Sequence, residues 1–259
     1  MTQDYEEYTM TAKSTLAYFL SELGMDLQDF QLPPIAALAF QDDGLGELCS
    51  RSNASPIGNW NFPGTNDPLY LGKYQEVDVI IGKIPEGAPK AAIFIEFLLC
   101  LGVNRIIVTG AAGSLQPEVP GCSLVATTSA IREEGTSYHY LDASEVAQAS
   151  QDLLQRLHQA AIRAGIKIHS GPTLTNDAPF RIPISKIKHY QKLNVLTAEM
   201  ELSALFAVAQ CRGIDLAGLL VISDTHYGDR EIVAFSEGYL QAQRQAARII
   251  LDALCKIQP

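Results

Sequence analysis

Short apolar runs alternate with amphipathic segments along most of this chain of 259 residues, and that alternation limits the fold more than any other feature. The apolar runs have the length of buried strands, whereas the longer segments place their apolar residues at helical spacing. Strands are predicted near residues 35–40, 77–81, 105–109, 123–127, 167–175 and 218–222. Helices are predicted at residues 5–24, 87–101, 146–164, 198–212 and 232–256.

This order of elements predicts an α/β fold with a mixed, largely parallel central sheet flanked by helices. No internal repeat, low-complexity tract or linker divides the sequence. We therefore expect a helical extension over residues 1–30, followed by one α/β domain over residues 31–259. A stretch rich in asparagine, proline and glycine, residues 50–72, is expected to form a long surface loop.

The charge balance and the hydropathy exclude several classes of function. The chain has 19 Lys and Arg residues against 29 Asp and Glu residues, which gives a formal charge of −10. Such acidity disfavours binding to nucleic acid or to an anionic membrane, but it leaves room for a small anion in one local pocket. No apolar stretch of membrane-spanning length and no secretory leader are visible, and the five cysteines show no CxxC spacing. These features predict a cytoplasmic protein without a metal site or a disulfide framework.

Ligands of α/β sheets bind beyond the carboxyl ends of the strands, so the strand-end segments are the first places to search for a site. These segments are residues 41–44, 83–87, 110–113, 176–180 and 223–227. The segment Gly110–Gly113 combines small residues that let backbone N–H groups approach a ligand closely. It lacks the spacing of a dinucleotide-binding or P-loop motif, so by itself it is better explained as a tight turn without a ligand.

Three acidic residues follow strands or begin helices in ways that suit catalysis or sugar binding. Glu201 could accept hydrogen bonds from two sugar hydroxyls while Met200 packs on the apolar face of the sugar. More commonly, carboxylates such as Glu199 and Glu201 in the first turn of a helix only complement the helix dipole. Asp224 directly follows the apolar strand 218–222. A carboxyl group there could act as a general acid or could cap the next turn.

Two further segments offer aromatic or imidazole groups. Phe180 follows a strand and could stack on a flat ring, although an Asx turn with Phe180 in the core fits the same pattern. His139, in a polar and aromatic stretch at residues 131–140, could donate to a ligand, but a lone histidine is more often structural.

Taken together, five segments resemble the nucleoside phosphorylase superfamily, which comprises purine nucleoside and uridine phosphorylases and methylthioadenosine/adenosylhomocysteine nucleosidases. The segments that carry the resemblance are residues 102–115, 131–140, 175–180, 198–201 and 221–224. Each is weak alone, but their order and spacing are fairly specific. The resemblance implies the superfamily's α/β fold and an enzyme that cleaves the N-glycosidic bond of a nucleoside.

Matched position by position, the resemblance implies roles for the acidic residues. Glu199, Met200 and Glu201 correspond to the residues that bind ribose. Asp224 corresponds to the aspartate that protonates a purine leaving group at its imidazole nitrogen. Uridine phosphorylases typically lack that aspartate, so the resemblance favours a purine base over a pyrimidine base.

The same matching implies where the base and the nucleophile bind. The base would lie near Asp177, Pro179 and Phe180, with Phe180 one position after the usual stacking phenylalanine. The segment that meets phosphate or the attacking water corresponds to Thr109, Gly110, Ala111, Ala112 and Gly113.

The phosphate site departs from the family pattern. Phosphorylases of this family usually carry an arginine at the position of Val108, a serine or threonine at that of Ala111, and another arginine after the first strand. Here the first strand is followed by Asp42 and Asp43, whose charges would repel a phosphate dianion. The sequence therefore lacks the cations that the family usually brings to phosphate.

Cations from other segments could replace the missing arginines. Lys83 is a candidate for the phosphate site, and Arg230 is a candidate catalytic residue. Alternatively, Asp42 or Asp43 activates water, as a carboxylate after the first strand does in the hydrolase branch. We expect phosphorolysis, with hydrolysis or non-catalytic nucleoside binding as the alternatives. The implied partners are a nucleoside and inorganic phosphate as co-substrate, without a cofactor or metal, in a homo-oligomer.

Overall fold

The structure is a computed structural model that describes residues 10–58, 60–227 and 231–255. Its helices are α1 (Ala12–Glu22), α2 (Asp42–Ser52), α3 (Ala88–Cys100), α4 (Gln151–Ala164), α5 (Ile184–Lys192), α6 (Leu202–Arg212) and α7 (Glu237–Cys255). Its strands are β1 (Ile35–Ala39), β2 (Ser55–Pro56), β3 (Tyr70–Tyr74), β4 (Val77–Lys83), β5 (Arg105–Ser114), β6 (Leu124–Glu133), β7 (Ala147–Gln148), β8 (His169–Asn176), β9 (Thr197–Glu199) and β10 (Asp215–Thr225).

Strand β5 organises the sheet. Its first half pairs with β1, its last two residues pair with β9, and its other edge pairs with β10. Because β10 also pairs with β6, and the order continues through β8 and β9 back to β5, five strands close into a ring. The pairings of β1 with β4 and of β5 with β10 are parallel, whereas those of β6 with β10 and of β5 with β9 are antiparallel. The prediction of an α/β fold with a mixed sheet is confirmed.

The central strands are apolar throughout because both of their faces are covered. Leu38 in β1, Ile80 in β4 and Ile107 in β5 are all fully buried. Helix α4 shows the complementary pattern: one buried stripe, a start at the N-cap Ser150, and an end at Gly165 in the left-handed conformation (φ +66°). Buried strands between amphipathic helices therefore explain the alternation in the sequence.

Helix α1, from the predicted N-terminal extension, packs on α3. Its residues Leu16 and Leu20 are fully buried in the main hydrophobic core, and a capping box between Thr11 and Ser14 fixes its start. The first nine residues of the extension lie outside the described part of the chain.

Helix α2 includes residues 42–44 of the strand-end segment 41–44, and it replaces the start of the loop expected at residues 50–72. Gly44 and Gly46 are poor helix formers. Burial of Leu45 and Leu48 stabilises the helix in spite of them.

The rest of the predicted surface loop is not simply a surface segment. It contains β2 and the start of β3, which pair with each other. Phe62, within it, is 1% exposed and contacts Phe94 of α3 edge-on, with ring centroids 5.1 Å apart. A cluster of aromatic rings therefore anchors this stretch to the core.

Several predicted boundaries shift. Gly110–Gly113 is not a turn but the second half of β5, and Asp224 lies within β10 rather than after it. The helix predicted from residue 198 begins only at Leu202, and the last helix begins at Glu237 instead of residue 232. Residue 256, the predicted end of that helix, lies outside the described residues.

The described ranges contain neither a helix that could span a membrane nor a disulfide bond. No helix within them combines the length and the apolar character needed to cross a bilayer. All five cysteines are free thiols. Burial raises the pKa of Cys49 to about 11 and that of Cys255 to about 12, so both thiols are poor nucleophiles at neutral pH.

Candidate functional site

Strand pairing brings the predicted motifs together at one edge of the sheet. Gly113 of β5 pairs with Ala198 of β9 on one side and with Asp224 of β10 on the other. At the end of β1, Ala39 pairs with both Lys83 and Thr109. The expected ribose, acid and nucleophile segments are therefore neighbours around the second half of β5.

Glu199 is held at the end of β9 by three hydrogen bonds. Its Oε2 accepts the backbone N–H groups of Glu201 and Leu202, each at 2.7 Å, and its Oε1 accepts the Thr175 hydroxyl at 2.5 Å. The carboxylate thus satisfies the open N–H groups at the start of α6. Glu199 consequently orients the segment that carries Met200, which is half-buried, and Glu201.

Glu201 lies between the starts of two helices. It is the N-cap residue of α6 and is 7% exposed. Its Oε1 accepts the backbone N–H of Gly87, the N-cap of α3, at 2.7 Å. Gly87 adopts φ +90°, a conformation that a residue with a side chain would reach only with strain. The Gly87 N–H could donate a hydrogen bond to an anionic ligand at this helix start, but in this structure it donates to the Glu201 carboxylate.

Burial raises the pKa of both glutamates above the ordinary carboxyl range. For Glu199 the nearby charge of Glu201 adds to the effect of burial, while the hydrogen bonds to its carboxylate oppose it. For Glu201 the N–H groups of Gly87 and Met200 oppose the rise. The pair therefore retains a proton at pH values where exposed glutamates are fully ionised. Such a pair can both donate to and accept from a hydroxyl group.

Asp224 is oriented by an irregularity in β10. Ile222 pairs with Ala112 and Asp224 with the next residue, Gly113, so Ser223 is an extra residue between them. This β-bulge turns Asp224 to the face opposite the one that regular alternation would give it. The Ser223 hydroxyl lies 2.9 Å from Asp224 Oδ1 and donates to it.

His226 is a site residue that the sequence reasoning did not single out. Its Nε2 lies 3.1 Å from Asp224 Oδ2, and its backbone N–H donates to the Ser114 carbonyl at 2.7 Å. The ring lies over Gly113: a Cβ atom there would come within 2.3 Å of Nε2. The sequence feature that could have indicated this contact is the glycine at position 113, because the absence of a side chain there makes room for an imidazole as well as for a ligand.

On the nucleophile side, protein groups already occupy the expected donors. The Ala111 N–H donates to Gln41 Oε1 at 2.8 Å, a contact that the sequence did not indicate. Lys83 Nζ lies 2.6 Å from Asp42 Oδ1, and this hydrogen bond raises the pKa of Lys83. Asp42 and Asp43 lie in the first turn of α2, where the helix dipole favours carboxylates.

The remaining residues of that segment are mostly enclosed. Thr109 is 2% exposed, and its hydroxyl has no partner among the described residues. Gly110 lies against Phe40, since a Cβ atom there would come within 2.8 Å of that ring. Ala112 is buried, and its carbonyl oxygen lies 3.3 Å from the Ser223 hydroxyl oxygen. Only Ala111 is half-buried and open to a ligand.

The predicted base-binding residues lie at the surface of the chain. Phe180 is 97% exposed, and Pro179 is exposed in the same 3₁₀ turn. Asp177 is also exposed, and its Oδ2 accepts the Gly135 N–H at 3.2 Å. The structure therefore does not bring Phe180 into the core or over the glutamate pair. The candidate catalytic residue Arg230 lies outside the described residues.

The segment at residues 131–140 is tied to the start of α6. Buried Glu134 accepts the Ser137 N–H, and its Oε1 also accepts the Ser203 hydroxyl at 2.8 Å. His139, at the end of this 3₁₀ turn, has an exposed side chain. The turn therefore supports the start of α6, and the exposed His139 has no contact that ties it to the glutamates in the described structure.

Two glutamates, an aspartate and a row of small residues therefore lie together at the strand ends of a mixed sheet. Within the described part of the chain, no group of three or more His, Cys, Asp or Glu residues could hold a metal ion. The chain belongs to the phosphorylase superfamily: the model of that family matches residues 35–255. The family predicted from the sequence is thereby confirmed.

Three nucleoside phosphorylases are similar in sequence to this chain. Guanosine phosphorylase of Halorubrum lacusprofundi is 29% identical over 213 residues, which cover 80% of this chain and 83% of that protein. Uridine phosphorylase of Haemophilus influenzae is 28% identical, with 59% and 67% covered. A purine nucleoside phosphorylase of the DeoD type from Caldanaerobacter subterraneus is also 28% identical, with 60% and 68% covered.

Solved structures share the fold. A uridine phosphorylase from Vibrio fischeri superposes with a TM-score of 0.80 at 24% identity, covering 93% of this chain and all of that one. A purine nucleoside phosphorylase from Toxoplasma gondii gives 0.77 at 22% identity, covering 89% and 92%. These similarities establish the architecture, while the choice of base is a separate question.

Proposed function

We propose that this protein cleaves the N-glycosidic bond of a purine nucleoside by phosphorolysis, with inorganic phosphate as co-substrate and without a metal or other cofactor. The observation that carries the proposal is the position of Gly113, which pairs with the glutamate segment on one edge and with Asp224 on the other. The residues proposed to bind the sugar and to protonate the leaving base therefore lie on either side of β5, along which a nucleophile would approach. The guanosine and purine nucleoside phosphorylases among the relatives support the same reaction.

Each group has a stated task in this reaction. Cleavage of an N-glycosidic bond develops positive charge on the sugar, so a carboxylate such as Glu201 stabilises the transition state more than the ground state. Glu201 and Met200 bind the ribose, and Glu199 orients them. Asp224 gives a proton to the imidazole nitrogen of the leaving purine. A pyrimidine offers no such nitrogen, so Asp224 favours purines.

Hydrolysis is the second candidate function, and the nucleophile side specifically favours it. Gln41 occupies the Ala111 N–H and Asp42 neutralises Lys83, so a phosphate dianion must displace two internal contacts. Water needs neither of them, and Asp42 or Asp43 would act as its base. The two candidates share the sugar and base sites and differ only in the nucleophile.

The deciding experiment incubates the purified protein with inosine, guanosine, adenosine, methylthioadenosine or uridine, each with and without phosphate. Phosphorolysis releases the base only when phosphate is present and yields the sugar 1-phosphate. Base release that is independent of phosphate and yields the free sugar would show that the reaction is hydrolysis and not phosphorolysis. Thermal stabilisation by a nucleoside without turnover would instead indicate a non-catalytic nucleoside-binding protein.

We also propose that the active form is a homo-oligomer. Phe180 and Ile184 are 97% and 76% exposed beside the expected base site, and an aromatic ring is rarely left so open in a functional pocket. A second copy would cover them. Light scattering on the purified protein tests this, and a monomeric mass for the active enzyme would contradict it.

A further inference from the structure

The carboxyl group of Asp224 is held from both sides. The Ser223 hydroxyl donates to Oδ1 at 2.9 Å, and His226 Nε2 lies 3.1 Å from Oδ2. A carboxylate oxygen can only accept, so Nε2 carries the hydrogen of this contact whenever Asp224 is ionised. His226 is itself fixed, because its backbone N–H donates to the Ser114 carbonyl.

The neighbouring strand is shaped to admit the imidazole. A Cβ atom at Gly113 would lie 2.3 Å from Nε2 and 2.5 Å from Cδ2 of His226, so only glycine leaves this space. The histidine side chain is 33% exposed, against 18% for that of Asp224. The imidazole is therefore more open to solvent than the carboxyl group that it contacts.

We propose that His226 is a positioning residue for Asp224, which holds the carboxyl group in place and resupplies the proton that Asp224 gives to the leaving base. The proposal rests on the proposed function, in which Asp224 protonates a purine. It assigns a role to a residue two positions beyond the motif that carried the resemblance.

The proton balance is simple. Protonated imidazole gives its Nε2 proton to Asp224 Oδ2, and Asp224 gives a proton to the imidazole nitrogen of the purine. The C1′–N9 bond breaks, its electron pair goes to the purine ring, and the nucleophile bonds to C1′. His226 is then neutral, with hydrogen on Nδ1 only, and its Nε2 regains a proton from a solvent water. Imidazole suits this step, because among side chains it exchanges protons most readily near neutral pH.

The test compares two leaving groups in the full-length protein. Guanosine needs a proton on its base to leave, whereas 7-methylguanosine already carries positive charge there and needs none. His226→Gln keeps an N–H donor near Asp224 but cannot pass on a proton. We expect this variant to lose about 10²-fold or more in kcat on guanosine. Its kcat on 7-methylguanosine should stay within about threefold of wild type.

Controls separate this role from a structural one. His158→Gln alters a histidine on α4 and should leave both rates unchanged. Equal losses on the two substrates in His226→Gln would mean a purely structural histidine, and an unchanged rate on guanosine would mean no role at all. Either result overturns the proposal while the proposed function stands.

A spectroscopic measurement covers the case in which wild type cleaves no nucleoside and the proposed function itself fails. In protein labelled with ¹⁵N-histidine, Asp224 should hold neutral His226 in the tautomer with hydrogen on Nε2. Asp224→Ala should release that preference. An unchanged tautomer in Asp224→Ala would show that the two side chains do not interact, and would refute the assignment independently of activity.

Discussion

The two halves of the site are held in different ways. On the sugar side, backbone N–H groups at the starts of α3 and α6 hold Glu201 and Glu199. On the nucleophile side, the contacts come from side chains: Gln41 on the Ala111 N–H, and Asp42 on Lys83. The Asp42 side chain is 81% exposed, whereas Glu201 is almost fully buried.

The kind of hydrogen-bond partner decides which side chains keep a fixed orientation and which can exchange one contact for another. Groups held by backbone donors in a buried site keep their orientation without cost at the moment of reaction. An exposed ion pair contributes little to stability, so an incoming anion can break it cheaply. The proposed sugar side is thus preorganised, whereas the proposed nucleophile side can change its contacts, and we expect phosphate and water to compete there.

The largest effect is expected on the sugar side. Glu201→Gln keeps an acceptor for the Gly87 N–H but removes the charge that stabilises a cationic sugar. We expect kcat/KM to fall by roughly 10³-fold, as for loss of one strong electrostatic contact. Steady-state kinetics on the best nucleoside measure this, with a substitution of an exposed residue of α1, Glu22→Gln, as the matched control. A loss below about tenfold would mean that the fixed half does not carry the chemistry.

A second substitution tests whether the close packing of His226 against β5, the strand between the two halves of the site, is needed for stability and activity. Gly113→Ala places a Cβ atom 2.3 Å from His226 Nε2, so the imidazole must move. We expect a loss of about 1–3 kcal/mol in the free energy of unfolding and about 10²-fold in kcat. Gly46→Ala in α2 is the control, because nothing lies within 4 Å of its Cβ position. Wild-type behaviour of Gly113→Ala would show that this packing is not rigid.

The glutamate pair predicts a dependence of stability on pH. Its pKa values are raised in the folded state, so folded protein binds more protons than unfolded protein above the ordinary value of 4.5. The free energy of unfolding should therefore fall as the pH rises from about 4.5 towards neutrality. We expect Glu201→Gln to flatten this fall by about 1–3 kcal/mol. Chemical denaturation at several pH values measures it, and parallel curves for both proteins would contradict the raised pKa.

The smallest effect is expected on the proposed nucleophile side, where an exposed ion pair joins Asp42 and Lys83. Asp42→Asn frees Lys83, so phosphorolysis should show a KM for phosphate lowered by about twofold to fivefold, with stability changed by less than about 1 kcal/mol. Asp78→Asn is the control, because it removes an exposed carboxylate 3.8 Å from Lys73 on the neighbouring strand. If hydrolysis is the reaction and Asp42 the base, kcat falls instead, so the two candidates predict opposite outcomes.

The sequence predicted the features that depend on local pattern. Buried strands such as β1 and β5 are apolar along their length, and the order of the motifs identified the family that the comparison then confirmed. Helix α2 was missed because its glycines disfavour a helix and only burial of Leu45 and Leu48 compensates.

The contacts that shape the candidate site depend on partners far apart in the chain. Gln41 and Ala111 are 70 residues apart, and no local pattern links a glutamine to a strand N–H. The contact of His226 with Gly113 likewise needs two strands to be paired first. The hydropathy pattern of β10 does not reveal the bulge at Ser223. The face of the sheet on which Asp224 lies could therefore not be predicted from the sequence.

The bulge at Ser223 also determines which mutations this part of the chain can accept. Removing a single residue there would restore regular alternation and turn Asp224 to the opposite face of the sheet. Related sequences should therefore vary in amino acid identity along β10 but keep its number of residues constant, so that natural insertions and deletions collect elsewhere.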